Sequence, residues 1–260
     1  MDEMLIHQLG DTLYGALTGR TTIAPLTETY PDITIEDAYK ISLHLLDRRL
    51  AAGERVIGKK IGVTSNAVMD MLDVRQPDFG FMTDAMRYDG EMPISRTLIQ
   101  PRAEGEIAFL LKKDLIGPGV TNEDVLAATE AVFPCFEVVD SRIRDWKIRI
   151  QDTVADNASC GLFTIDENAA IDPRKIDLVG CEMEVSKNGN VISTGTGAAA
   201  MGSPVNCVTW LANTLGEFGI TLNAGDIILS GSLVPLEPVV AGDVMTVQIK
   251  GMGECNVQFT

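Results

Sequence analysis

Basic residues are scarce in this chain: 21 lysines and arginines stand against 37 aspartates and glutamates, a formal charge of −16 over 260 residues. A surface of that sign repels nucleic acid and anionic membranes, so neither is expected as a partner. An anionic ligand can be held only where a cation or a pocket of backbone N–H groups overrides the general field. Histidine is rarer still, with only His7 and His44, both in helical stretches among surface residues. General acid–base work is therefore expected from other groups. The five cysteines, Cys135, Cys160, Cys181, Cys207 and Cys255, lie far apart and form no C-x-x-C pair. They read as reduced thiols buried as small hydrophobes in a reducing compartment. No uninterrupted apolar run approaches the ~20 residues that span a bilayer, and Met1-Asp2-Glu3-Met4 carries acid where a secretory signal carries base. A soluble, cytoplasmic protein is the expectation, and the 45% apolar fraction suffices for a sizeable core.

Residues 5 to 19 place Leu5, Leu9, Leu13 and Leu17 at a period near four, which predicts an amphipathic helix ending at Gly19. A second helix is capped by Thr34 with Asp37, carries the stripe Ala38, Ile41, Leu45 and Leu46, and stops at Gly53. From about residue 56 the character changes to short β-prone runs: 56–63, 104–111, 133–139, 181–187, 191–194, 227–230 and 245–250. Asn188-Gly189 is a hairpin signal. Two helices interrupt these strands, one capped by Thr121 with Asp124, the other opened by Ser203-Pro204 and closed by Gly219. The order predicts an α+β chain, with a helix-rich N-terminal α/β region over residues 1–80 and a β-rich catalytic portion over 81–260.

The chemistry-bearing signal lies in residues 102–111. A strand there puts Glu104, Glu106, Ala108 and Leu110 on one face and Ile107, Phe109 and Leu111 on the other. Both faces continue as apolar, so the acidic end enters a closed region where two like charges are costly without a cation. Glu137 is a single acid in the apolar run 133–139. Three carboxylates without a nearby histidine are hard oxygen ligands suited to Mg²⁺ or Mn²⁺; the alternative reading is a structural ion pair with Arg102 or Arg142. Glu182 and Glu184 share the i, i+2 spacing, but their face continues with Ser186 toward the Asn188-Gly189 turn, which assigns that pair to solvent.

In the Gly-flanked run 57–65, one of Lys59 and Lys60 is expected to face inward, and a partly desolvated lysine near a metal has its neutral form favoured; the other reading is two solvated lysines. Asp78, between Pro77 and Phe79, reads as an acid in a rigid turn, either a proton shuttle or an Asx-turn residue. The segments 156–161 and 230–232 are small-residue loops whose hydroxyls and N–H groups could bind a carboxylate or be ordinary turns. The glycines of 195–202 lack the Lys-Ser/Thr ending of a phosphate loop and read as close packing.

Over nearly its whole length the chain resembles the 2-hydroxypenta-2,4-dienoate hydratases of meta-cleavage degradation of aromatic compounds, within the fumarylacetoacetate hydrolase superfamily. The most specific segments are Gly58-Lys59-Lys60-Ile61-Gly62-Val63-Thr64-Ser65, Gln76-Pro77-Asp78-Phe79-Gly80, Arg102-Ala103-Glu104-Gly105-Glu106, Phe136-Glu137-Val138-Val139-Asp140-Ser141-Arg142, Val154-Ala155-Asp156-Asn157-Ala158-Ser159 and Leu229-Ser230-Gly231-Ser232. The resemblance implies a mixed β-roll, a Mg²⁺ or Mn²⁺ ion on Glu104, Glu106 and Glu137, Lys60 and Asp78 as the acid–base groups, and Ser159 and Ser232 near the substrate. It also implies a homo-oligomer and, since such hydratases associate with 4-oxalocrotonate decarboxylases, a possible complex with one. That decarboxylase shares the metal triad and is the alternative activity; a non-catalytic partner subunit of it is a third reading.

Overall fold

A computed structural model describes residues 1–65, 69, 74 and 76–260 of the chain. Helix α1 (Glu3–Gly19) starts where the Asp2 carboxylate accepts from Leu5 N and ends at Arg20 in the left-handed region. Its buried stripe is Ile6, Leu9, Leu13 and Ala16, drifting from the simple period of four as 3.6 residues per turn requires. After the short α2 (Leu26–Thr29), α3 (Ile35–Ala51) opens with the Thr34–Asp37 capping box and buries Ala38, Ile41, Leu45 and Leu46, as its stripe predicts. The two long helices close tightly where a Cβ on Gly10 would stand 2.7 Å from the His44 ring. With Ile143, Ile150 and Val154 they form a satellite core.

The remaining elements are strands β1 (Val56–Gly62), β2 (Asp78–Thr83) and β3 (Glu91–Met92), α4 (Ile94–Thr97), β4 (Arg102–Leu111), α5 (Asn122–Ala128), β5 (Thr129–Val139), α6 (Ile150–Ala155), β6 (Leu162–Ile165), β7 (Glu182–Lys187), β8 (Asn190–Thr196), α7 (Pro204–Glu217), β9 (Ile227–Leu229), β10 (Glu237–Pro238), β11 (Val244–Ile249) and β12 (Gly253–Phe259). One sheet runs β2-β1-β9-β4-β5-β6, with β10 paired to β4; the other runs β3-β12-β11-β7-β8. Both are mixed: β1–β9 and β12–β3 are parallel, and the other strand pairs are antiparallel. This is the expected α+β architecture. All seven anticipated strands form, and β7 and β8 join through Asn188 and Gly189, both at positive φ as a type I′ turn demands.

The main core lies between the sheets, where β5 packs on β11 and β12. Gly105 on β4 is held small by this packing, since a Cβ there would meet Met183, Val185 and Val247 at 3.0 to 3.2 Å. The expected boundary at residue 80 falls inside β2. Both β1 and β2 belong to the larger sheet, so the helical layer proper covers residues 3–51.

Candidate metal centre and active site

Residues on β4 and β5 bring the three carboxylates together. Glu104 and Glu137 are direct cross-strand neighbours, and Glu106 follows on the same face of β4, opposite Cys135. One oxygen from each of Glu104, Glu106 and Glu137 can be chosen so that all lie within 4.8 Å of one another. Glu106 and Glu137 are fully buried and Glu104 half-buried. Gly231 N donates to Glu106 Oε2 at 2.8 Å, while among the described residues Glu106 Oε1 and Glu137 Oε2 have no hydrogen-bond donor and Glu137 Oε1 has only the Lys60 ammonium, 3.3 Å away. Buried carboxylate oxygens left without donors are costly. Burial, and then the mutual repulsion of the cluster, raises the Glu104 carboxyl to about 8 and Glu106 well above the ordinary range; burial raises Glu137 against the pull of Lys60. A donor set of converging, orphaned hard oxygens fits a divalent cation such as Mg²⁺ or Mn²⁺.

The alternative of a structural pair with arginine is not what forms. Arg142 is buried on Asp156, and Arg102 lies 4.8 Å from the Trp146 ring centroid. The look-alike pair Glu182 and Glu184 is exposed on β7, with Glu182 3.1 Å from Lys250, so the continuation of the strand face separates the two pairs as expected.

Both lysines of β1 are buried, correcting the reading that one or both would be solvated. Alternation sends them to opposite faces: Lys59 pairs with Asp226 at 2.5 Å, and Lys60 Nζ stands 3.3 Å from Glu137 Oε1. Burial favours the neutral Lys60 amine, yet Glu137 and Asp78 outweigh it and its pKa is raised. The protein groups alone therefore favour the ammonium form of Lys60, whereas the neutral amine is the expectation for a lysine beside a bound metal. A divalent cation on the same carboxylates offsets that field.

Asp78 opens β2 opposite Gly62 rather than sitting in a turn. It is buried, its Oδ1 has no hydrogen-bond partner among the described residues, and burial raises its pKa. A Cβ on Gly62 would lie 2.3 Å from Asp78 Oδ1 and 3.2 Å from Lys60 Nζ, so both functional groups converge over that glycine. His7 and His44 stack on each other with centroids 4.3 Å apart, His44 reaching Asp11.

The two small-residue loops have different duties. Ser232 stands beside Glu104 at the half-buried rim but donates its hydroxyl to Val234 O. In the same loop, Ser230 is fully buried with a hydroxyl that has no partner among the described residues, and its N–H donates to Ile107 O on the ligand strand. The residues Asn157, Ala158 and Ser159 form a turn in which all three have φ between 51° and 55°, a conformation costing roughly 1–2 kcal/mol per non-glycine residue. Bonds from two sides hold it. Asn157 accepts from Phe81 N at 2.8 Å and donates to Phe81 O at 2.9 Å, and the Arg142–Asp156 pair anchors the residue before the turn. The Ser159 hydroxyl engages Thr153 Oγ1 at 3.2 Å; Cys160, the next residue, lies beside Glu137. The sequence places Ser230, Gly231, Asn157 and Cys160 in candidate binding loops but does not show their partners, which are far along the chain; Gly231 and Glu106 are 125 residues apart.

Residues 60–260 match the family described as fumarylacetoacetate hydrolase, C-terminal. A 2-hydroxypent-2,4-dienoate hydratase of Pseudomonas putida is 72% identical over 222 residues, covering 85% of this chain and 100% of that protein. A 2-hydroxyhexa-2,4-dienoate hydratase of Comamonas testosteroni is 61% identical over 262 residues, covering 100% and 99%. Among solved structures, 4-oxalocrotonate decarboxylase from Pseudomonas putida G7, complexed with magnesium and adipate, has a TM-score of 0.96 at 34% identity, covering 100% of this chain and 99% of that one. With the family match spanning most of its length and the hydratase likeness all of it, the chain belongs to the fumarylacetoacetate hydrolase family.

Proposed function

We propose that the chain is a metal-dependent hydro-lyase that adds water to 2-hydroxypenta-2,4-dienoate, giving 4-hydroxy-2-oxopentanoate, in meta-cleavage degradation of aromatic compounds. The observation that carries the metal dependence is the set of orphaned oxygens on Glu106 and Glu137 beside Glu104. The likeness to dienoate hydratases at 61% and 72% identity carries the substrate class. The magnesium bound by the decarboxylase relative supports Mg²⁺ as the ion, with Mn²⁺ the other hard cation the donors suit.

Glu104, Glu106 and Glu137 would hold the ion, which when bound supplies Lewis-acid stabilisation for a 2-oxo acid and its enol. Gly231 N fixes one oxygen of Glu106 and so its orientation. Water addition needs a proton at C5 as the 2-hydroxyl gives up its own, oxygen attack at C4 of the resulting unsaturated ketone as the water loses a proton, and a proton at C3. Lys60, 3.3 Å from Glu137, is the proton donor; Asp78, buried over Gly62, is the group that takes and returns a proton as water adds. Ser232 at the rim and Ser159 behind the turn complete the set that meets or supports the substrate.

The test is loss of dienol absorbance with and without Mg²⁺ or Mn²⁺; absence of metal-dependent turnover defeats the reading. The decarboxylase activity has the close fold match in its favour, and a parallel measurement of CO₂ release from 2-oxo-3-hexenedioate is expected to show none. If both reactions fail while the chain binds a decarboxylase and raises its activity, the partner-subunit reading replaces this one.

The outer strand β8 exposes Val191 and Ile192, which supports assembly as a homo-oligomer. A complex with 4-oxalocrotonate decarboxylase is the second association, tested by co-elution of the two proteins. The five cysteines are free and buried, which supports a reducing, cytoplasmic setting, and no helix among the described residues is long and apolar enough to cross a membrane.

A further inference from the structure

A second cavity, of about 270 Å³, lies between the helical layer and the start of β6. Arg20, Arg49, Arg96 and Arg142 all line it, and no carboxylate does. In a chain with 37 acidic and 21 basic residues this is a local reversal of sign. None of the triad, Lys60, Asp78 or Ser232 lines it, so it is separate from the metal centre.

The four guanidinium groups are differently committed. Arg142 spends its donors on Asp156 and on the carbonyls of Asp140, Asp156 and Cys160. Arg49 is 9% exposed; its Nε donates to Glu54 and its Nη2 to Thr83, leaving Nη1 without an acceptor among the described residues. Arg20 donates one Nη1 bond to Ser95 O, beside Arg96, and neither Arg20 nor Arg96 has a carboxylate within ion-pair distance among the described residues. Two uncompensated guanidinium groups at the rim and a third with a free donor at depth form a site for a small oxyanion, because the planar fork matches two oxygens at once.

We propose that this cavity binds a small oxyanion, inorganic phosphate or a short dicarboxylate, with Arg20 and Arg96 clamping it and Arg49 supplying the inner donor. The site meets the metal centre at one residue: Cys160 lines the cavity and lies beside Glu137.

Isothermal titration of the EDTA-treated full chain with phosphate, and separately with succinate, against chloride of equal ionic strength tests this. One saturable site per chain is expected for at least one of the two, and the tighter of them identifies the ligand class. Arg20→Gln and Arg96→Gln, both exposed substitutions, are each expected to weaken binding about tenfold, while Glu106→Gln leaves it unchanged. No saturable binding of either anion, binding indifferent to both arginine substitutions, or binding lost in Glu106→Gln would each overturn the proposal. The last outcome would place the anion at the metal centre instead. Failure here leaves the hydratase assay untouched.

Discussion

Glu104 on β4 and Glu137 on β5 sit directly opposite each other in an antiparallel register, two carboxylates that a sheet places side by side and that repel unless a cation joins them. The cost of that juxtaposition is the source of the testable behaviour of the metal-free chain.

Replacing Glu106 with Gln removes one of the clustered charges while keeping an acceptor for Gly231 N. Turnover at saturating substrate is expected to fall about a hundredfold or more, whereas the metal-free variant melts at a higher temperature than the parent because a raised carboxyl has been neutralised. Glu184→Gln, on the exposed face of β7, should change neither quantity. Equal behaviour of the two variants would undo the assignment of the triad.

Stability of the metal-free chain should depend on pH with a definite sign. Glu104 is raised to about 8 by burial and by Glu137, and Glu106, Glu137 and Asp78 move the same way. A carboxyl whose folded pKa exceeds its unfolded one contributes stability that is full below the unfolded value and lost as pH rises through the folded value. Thermal melts with EDTA are therefore expected to fall between about pH 5 and about pH 8. The gain from added Mg²⁺ should grow over the same interval, since protons no longer compete for the oxygens. A gain that shrinks with rising pH would contradict this.

Gly62→Ala inserts a methyl where Asp78 Oδ1 and Lys60 Nζ approach. We expect kcat to drop by about tenfold or more, with Mg²⁺ affinity, measured by calorimetry, within about twofold of the parent because no ligand oxygen is touched. Loss of metal binding in this variant would show that Lys60 positions Glu137 rather than moving protons.

Asn157→Ala removes the paired bonds to Phe81 and leaves two buried backbone groups unsatisfied. Chemical denaturation should show a loss of about 1–3 kcal/mol. Turnover is expected to fall with it, because the same strand carries Asp78. Full activity with reduced stability would show that the turn supports the fold alone.

The ligand strand was legible from residues 102–111 because alternation and apolar continuation are local properties, and the same test sent Glu182 and Glu184 to solvent. Lys60 was legible only as one of two candidates: the period of two says that neighbours face opposite ways, not that both ways are interior. Asp78 reads as a turn residue because Pro77 and Gly80 flank it, and only the pairing of β2 with β1 makes it a strand residue. Strands β2, β3, β6, β10 and β12 were not anticipated. For β12 a signal existed, since Cys255, Val257 and Phe259 alternate as buried positions. The left-handed turn at 157–159 has no signature in composition; its conformation is imposed by Phe81 and by Arg142, which lie outside it in sequence.

Gly105 separates the two ligand glutamates of β4, and the packing of the second sheet keeps it small. The strand that carries the ligand carboxylates is thus backed closely by Met183, Val185 and Val247, and a side chain at residue 105 would have to push them aside by a few tenths of an ångström. The rim segment 230–234, by contrast, touches the ligands through the Gly231 N–H, which any side-chain exchange in that segment leaves in place. A scaffold divided in this way can exchange one reaction of a 2-oxo acid for another while its geometry stays nearly constant, and grafting rim segments between relatives is the direct route to redirecting it.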